Sequence, residues 1–318
     1  MNNYTIKKTS IVDKNELKSF YKTAYFSRGQ IFYENYKWFY KTDFSNETPL
    51  VICDKEKVIG HAGILTEDLI LNGNSHKFTW LTDLIILSKY RNLGLANKLV
   101  AQWMNICENK ITIPNDIALK IYKKFKWKTC SKIARFIGIT FLDRILLKKF
   151  IFNSELKKLK VYKIDKKIIK DILEIESLNK FSKGLKILRD ANWFEWRFLQ
   201  CPFLEDILCF QYNDQFILAQ LFKGKNKGRM NILYSTENYL DESMIFKATK
   251  LWAASKSINY LWHISNVQNT SKNFFSPIFK KTINFAYSTP KVELSNSLDY
   301  GIKNIQAGDS DSGHLILF

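Results

Sequence analysis

Between Leu84 and Ile106 the sequence passes from an unbroken apolar run to helical spacing, with one glycine where it changes. Leu84-Ile85-Ile86-Leu87 reads as the apolar end of a strand, while Leu95, Leu99, Trp103 and Ile106 recur along one face of a helix. The link is short: Ser88-Lys89-Tyr90-Arg91-Asn92-Leu93-Gly94. A helix that starts so abruptly presents unpaired N–H groups and the positive end of its dipole, which suit an anion. Gly94 permits an unusual dihedral and a close backbone approach. Small Ala96 keeps the first turn open, and Arg91 adds a cation where the loop begins.

The flanking pattern places this unit in a larger plan. Residues 13–25 and 31–41 have helical spacing, 49–54 and 58–65 read as strands, and Asn72-Gly73-Asn74 signals a hairpin into a strand at 78–87. After the helix from 95 come a strand near 111–114, a helix at 116–125 and a strand at 127–140. A meander that runs into a βαβ unit predicts a mixed α/β sheet with helices on its faces. The second half loosely repeats the order. Helices are expected at 166–178, 192–200, 242–255 and 270–280, and strands at 206–212, 216–223, 228–235, 260–264 and 283–288. The pattern predicts two tandem domains, 1–145 and 155–318, joined near residues 141–157.

Composition narrows the function. The net charge of +19 invites a nucleic-acid reading, but only 7 of the 49 basic residues are Arg, the usual base reader. The lysines are spread along the whole chain, so the expectation is no nucleic-acid partner and a surface that attracts small anions. Cys53, Cys107, Cys130, Cys201 and Cys209 are odd in number and form no CxxC, which predicts free thiols. His61, His76, His263 and His314 share no ligand spacing, so no metal is expected. The N-terminal residues lack the apolar core of a signal peptide. Arg135, Asp143, Arg144, Lys148 and Lys149 break the most hydrophobic stretch, so no membrane span and a cytoplasmic location are expected.

The segment Arg91-x-x-Gly94-x-Ala96 resembles the pyrophosphate-binding motif of the GNAT superfamily of N-acetyltransferases, Arg/Gln-x-x-Gly-x-Gly/Ala. The proline usual before that loop is replaced by Ser88. A second segment, Asn115-x-x-Ala118-x-x-x-Tyr122, resembles the family's later motif and follows at the expected distance of roughly 25 residues. Lys126-Trp127 stands where the family has Gly-Phe. The resemblance covers about residues 50–130 and implies splayed, mixed sheets and an acyl-coenzyme A co-substrate. It implies coenzyme contacts from Leu84, Ile86, Arg91, Asn92, Leu93, Gly94, Leu95, Ala96, Asn115 and Tyr122. Leu84–Ile86 would offer free backbone groups to the pantetheine, and Asn115 would bond the same arm. Tyr122 would protonate the departing thiolate; as a bare pattern it equally suits a tyrosine packed on the sheet.

Two further residues invite a chemical reading. Asp83 precedes the apolar end of a strand, where a carboxylate is costly unless it reaches a partner or a cavity. His61 follows Gly60 on the preceding strand. Either can orient an amine or take its proton. The plain alternatives are a solvated strand end for Asp83 and a hydrogen-bonded core histidine for His61.

The second half has no loop of the Arg-x-x-Gly-x-Gly/Ala kind, and acidic residues stand in Thr236–Ser243. Its Trp193-Phe-Glu-Trp196-Arg197 segment places Arg197 and Trp196 as candidate acceptor contacts, or as a structural cluster. The tandem plan resembles nucleotide-sugar N-acyltransferases. That resemblance implies transfer of an acyl group, such as 3-hydroxybutanoyl, to the amine of a deoxythymidine diphosphate (dTDP)-linked amino sugar. The acceptor implied is a dTDP-3-amino-3,6-dideoxyhexose used for surface polysaccharide such as lipopolysaccharide or capsule. The alternatives are another small amine as acceptor, or a non-catalytic acyl-coenzyme A-binding module.

Overall fold

In the computed structural model, which describes residues 4–43, 48–140, 153–179, 184–222, 228–236, 244–266, 279–302 and 305, the apolar runs become sheet strands. In chain order the elements begin β1 (Tyr4–Lys8), α1 (Lys14–Tyr25), α2 (Gly29–Glu34), α3 (Tyr36–Phe39), β2 (Leu50–Asp54), β3 (Lys57–Leu71) and β4 (Asn74–Ile86). They continue α4 (Leu95–Trp103), β5 (Lys110–Thr112), α5 (Asp116–Lys124), β6 (Lys128–Ile139), α6 (Asn153–Lys158), β7 (Lys160–Lys163), α7 (Lys166–Asn179), β8 (Lys186–Ile187) and α8 (Ala191–Phe194). After a π-turn at Glu195–Leu199 come β9 (Ile207–Tyr212), β10 (Gln215–Leu221), β11 (Arg229–Ser235), α9 (Met244–Ser255), β12 (Tyr260–Asn266), β13 (Phe279–Ser288) and α10 (Val292–Asp299). The fold is mixed α/β.

Several differences from the sequence expectation have local causes. β1 was not anticipated: it is five residues long and half lysine at its end, too short for a clear alternation. The expected helix 31–41 breaks at Asn35, whose side-chain amide donates to the Ile31 carbonyl at 2.9 Å. The expected helix 192–200 is one turn of α8 followed by the π-turn. The helix expected at 270–280 falls almost wholly outside the described residues, as do the turn at 224–227, most of Thr236–Ser243 and His314. The hairpin turn is as expected, with Asn72 and Gly73 both at positive φ (51° and 82°), which twists the chain correctly into β4.

The chain forms two compact units. The first comprises the described residues of Met1–Leu69, Ser75–Cys130 and Asn284–Asp299, and the second those of Ile70–Asn74, Ser131–Ile283 and Tyr300–Phe318. In the first, the strand order is β1-β2-β3-β4-β5-β13. Neighbours are antiparallel except for the parallel β4–β5 pair, and the residue pairs Ala286↔Thr112 to Ser288↔Lys110 seat the far end of the chain at β5. In the second, the order is β7-β9-β10-β11-β12-β6, antiparallel except for the parallel β11–β12 pair. The polarities repeat in the same order. In each unit the last strand of this run is one the chain supplies out of turn, β13 in the first and β6 in the second.

Helices α4 and α5 cover one face of the first unit's sheet. Leu95, Leu99, Val100, Trp103, Tyr122 and Trp127 pack there on Ile52, Ala62, Ile64 and Leu81. Trp103 and Trp127 lie 5.2 Å apart, and burying such a ring is worth roughly 1.5–3 kcal/mol. Helices α1–α3 bring Phe20, Tyr21, Tyr25, Phe32, Phe39 and Tyr40 together, and Phe20, Tyr21 and Tyr40 lie against His61 on β3. Asp13 starts α1 by accepting from the Asn15 and Glu16 amides. In the second unit α9 packs on the sheet over Phe210, Ile217, Ala219, Met230, Ile232 and Leu261. Cys53, Cys130, Cys201 and Cys209 are buried free thiols, and Cys107 is half-buried.

Candidate active site

β4 and β5 separate within the first unit. Their pairing is confined to Thr79↔Lys110 and Trp80↔Ile111, after which the Thr112 hydroxyl donates to the Leu81 carbonyl at 2.7 Å. β4 then runs on to Ile86, while β5 ends at Thr112. Asp83 adopts a positive φ of 46° inside this strand, a strained conformation for a residue other than glycine. Leu84 beyond it is half-buried and Ile86 buried. The far end of β4 is held from the β3 side, where the Leu87 amide donates to the Ile59 carbonyl at 2.9 Å.

The loop that follows leads straight into α4. Asn92 (φ 64°) and Gly94 (φ 72°) are both left-handed, and Gly94 caps the helix. A Cβ built on Gly94 would meet no atom within 4 Å, so the dihedral rather than crowding demands glycine here. No side chain caps the α4 N-terminus, so its first N–H groups are offered outward beside the exposed loop. Leu93 is exposed, Leu95 is buried as the anchor of the helix, and Ala96 is half-buried. Arg91 folds back across the loop, its Nε donating to the Ile86 carbonyl at 3.1 Å, and its guanidinium stays at the exposed rim. Uncapped amides, an open glycine and an adjacent guanidinium fit a pyrophosphate.

α5 brings Tyr122 to the fork. Asn115 caps this helix, its Oδ1 accepting from the Ala118 amide at 2.8 Å, so the residue expected to touch pantetheine also has a structural task. Tyr122 is 1% exposed, packs 4.9 Å from Trp127 and hydrogen-bonds Thr112 through its side chain. Thr112 thus ties the phenol to the last joined rung of β4 and β5. Burial raises the Tyr122 pKa, and the phenol stays protonated.

A second polar group lies on the opposite face of the sheet. Tyr40 donates its hydroxyl to Asp83 Oδ2 at 2.9 Å. Burial pushes the Asp83 carboxyl up to about 6, against the lowering pull of the Tyr40 hydrogen bond and the Arg28 charge. His61 is fully buried, and its Nδ1 stands 3.5 Å from the Asp83 carbonyl and its Nε2 3.0 Å from the Tyr21 hydroxyl. A carbonyl only accepts, so this contact requires the proton on Nδ1, and Nε2 then accepts from Tyr21. Burial lowers the His61 pKa to about 4, so the ring is neutral at physiological pH. Gly63 makes room for the group: a Cβ there would stand 2.4 Å from Thr82 Oγ1 and 2.5 Å from Tyr40 Cε1.

The structure therefore gathers Asp83 and His61 on one face and Tyr122 on the other, with the β4–β5 fork between. Tyr21, Tyr40, Arg28 and Thr112 escaped the sequence reading. The two tyrosines sit at helical spacing among other aromatics and look like core. Arg197 and Trp196 lie elsewhere, in the second unit. They are 1% and 2% exposed, and the guanidinium carbon is 5.0 Å from its neighbour's indole ring. Among the described residues no group of three or more His, Cys, Asp or Glu is placed to hold a metal ion, and no helix is long and apolar enough to cross a membrane.

Residues 14–127, which hold the loop, the fork and both polar groups, match the acetyltransferase (GNAT) family profile. A search of curated protein sequences finds no match. Among solved structures, the chain is similar to a GCN5-related N-acetyltransferase from Anabaena variabilis, with a TM-score of 0.58, 13% identity, and coverage of 90% of this chain and 72% of that one. It is similar to another from Kribbella flavida, with a TM-score of 0.59, 12% identity, and coverage of 90% and 71%. It is also similar to the Saccharomyces cerevisiae N-myristoyltransferase with bound myristoyl-CoA, with a TM-score of 0.56, 12% identity, and coverage of 91% and 83%. These likenesses concern the fold. The family match concerns the segment 14–127, and the structural likenesses add the fold over most of the chain.

Proposed function

We propose that the protein transfers an acyl group from coenzyme A to the amine of a nucleotide-linked amino sugar. The observation that carries this reading is the fork, with the Tyr122–Thr112 pair on one side and the Tyr40–Asp83 pair on the other. The thioester lies along the separated end of β4, with Leu84 and Ile86 beside the pantetheine and the pyrophosphate at Arg91–Ala96. The amine nitrogen attacks the thioester carbonyl carbon directly. The new C–N bond forms as the C–S bond breaks, Asp83 accepts the proton the nitrogen loses, and Tyr122 gives one to the thiolate sulfur. His61, shut off from solvent, positions the Asp83 backbone and does not touch substrate.

The acceptor class is argued from charge and from plan. A net charge of +19 favours an anionic acceptor over a polyamine. The repeated strand polarities support a tandem GNAT arrangement, in which the N-terminal domain holds the acyl donor and the C-terminal one helps hold the acceptor. On this reading the acceptor is a dTDP-amino-dideoxy sugar, such as a dTDP-3-amino-3,6-dideoxyhexose. The acyl group is 3-hydroxybutanoyl or a close relative, and the reaction is cytoplasmic. A thermal-shift screen crossing acyl-coenzyme A species with nucleotide sugars, followed by mass spectrometry of the product, tests it. An acylated dTDP-amino sugar supports the reading. Acylation of a different amine, with no shift from any nucleotide sugar, refutes the acceptor class.

A further inference from the structure

Among its described residues, the second unit carries two arginines that the fold desolvates without an acid to meet them. Arg229 on β11 is 8% exposed, and its guanidinium carbon stands 3.4 Å from the centre of the Trp262 ring and 4.8 Å from that of Phe222. Arg135 on β6 is half-buried, with its guanidinium carbon 5.0 Å from the same indole. Among the described residues neither guanidinium has a carboxylate partner. Arg229 Nε donates to Asn231 Oδ1 at 3.0 Å, yet its Nη2 is buried with no hydrogen-bond partner, and so is Arg135 Nε.

Sheet register extends the cluster. Asn231 pairs with Trp262 across β11–β12 and with Gln220 across β11–β10, and residues directly opposite one another share a face. Gln220 is fully buried, and neither its Nε2 nor its Oε1 has a partner. The opposite face of these strands is the apolar one that packs on α9. A buried amide and two crowded guanidiniums are each costly when unpaired, and they sit together here. Burial, and then the neighbouring charge of Arg135, lower the pKa of Arg229 to about 10.

We infer that Arg135, Arg229 and Gln220, on the Trp262 face of the second unit's sheet, form an oxyanion-binding site for the phosphate or carboxylate of a small molecule. The guanidiniums supply charge and N–H donors. Gln220 Nε2 adds a donor, and its Oε1 accepts from a hydroxyl next to the anionic group. Trp262 and Phe222 hold the guanidinium planes in place. The inference does not depend on the proposed function.

The test uses the full chain carrying Arg91→Ala, so that the α4 loop is not the site being read. Inorganic phosphate and acetate are titrated at constant ionic strength set with chloride, and binding is followed by calorimetry and by indole fluorescence. Saturable binding of either anion is expected, with phosphate alone marking a phosphate ester and acetate marking a carboxylate. Binding should weaken by about tenfold or more in Arg229→Gln and in Arg135→Gln, as loss of a charge-assisted pair implies. Should either variant fold poorly, Arg229→Lys and Arg135→Lys in the same background serve, because each keeps the charge but loses the planar fork, and binding should again weaken. No saturable binding of either anion, or binding in the arginine variants equal to that of their parent, would overturn the inference.

Discussion

Tyr40, at the end of the helical arm, donates its hydroxyl to Asp83 across 2.9 Å although the two are 43 residues apart in sequence. Asp83 is the residue at which β4 leaves regular geometry, so one hydrogen bond joins the arm to the point where the sheet opens. The bond stabilises the carboxylate against burial, which has already raised its pKa to about 6. Removing the bond in Tyr40→Phe should raise that pKa further. The acidic limb of the kcat/KM profile is expected to move to higher pH, and an unmoved limb would show that Asp83 does not control the rate. Asp83→Asn should remove the limb and lower kcat/KM by roughly 10²–10⁴.

The same shift has a consequence for stability. A carboxyl whose pKa is raised on folding favours the folded state below its ordinary value of 3.8 and loses that contribution as pH rises through about 6. Asp83→Asn should therefore raise Tm at pH 7–8, with a gain that shrinks as pH falls towards 4. His61 has the opposite sign of shift. Its pKa falls from 6.5 to about 4, so its contribution is present above pH 6.5 and is lost as pH falls through 4. Thermal denaturation of both proteins between pH 4 and 8 checks the crossing.

Tyr122→Phe keeps the ring against Trp127 but removes the proton. Coenzyme A affinity should stay within about twofold while kcat falls by roughly 10². A fall in affinity with kcat intact would make Tyr122 a packing residue.

Arg91→Ala combined with Gly94→Val should weaken coenzyme A binding by more than about tenfold in calorimetry, because a β-branched residue resists the φ of 72° and the loop cation is gone. Unchanged affinity would move the pyrophosphate elsewhere.

Gly63→Ala puts a methyl group 2.5 Å from Tyr40 Cε1 and 2.4 Å from Thr82 Oγ1. The strain should cost about 1–3 kcal/mol, measured by urea denaturation, and displacing Tyr40 should shift the pH profile as Tyr40→Phe does.

The loop was legible because strand, glycine and helix are encoded side by side, and the left-handed φ of Gly94 is a local demand. Asp83 and His61 were legible because a polar residue inside an apolar run is an anomaly that asks for a partner. The partners were not: Tyr21 and Tyr40 fall on the same helical spacing as Phe20 and Phe39, and periodicity does not distinguish a hydroxyl aimed at a carboxylate from one more packed ring. Arg197 and Trp196 show the reverse case. Their composition left acceptor contacts and a structural cluster equally open, and both are buried, whereas Arg135 and Arg229 stand nearly a hundred residues apart and meet only through sheet register. Local pattern also identified β6 and β13 as strands without saying which sheet edge each would join.

That last choice governs how the protein is made. The strand segment that pairs with β5, Ala286–Ser288, emerges from the ribosome more than 150 residues after β5. At about 5–20 residues per second, the nascent chain carries an unfinished sheet edge for roughly ten to thirty seconds. During that interval the bared flank of β5 is a template for any passing strand, including the same strand of a neighbouring nascent chain. Slowing translation through residues 140–280 should thus favour domain-swapped dimers over monomers, a vulnerability that belongs to the order of synthesis and not to the finished molecule.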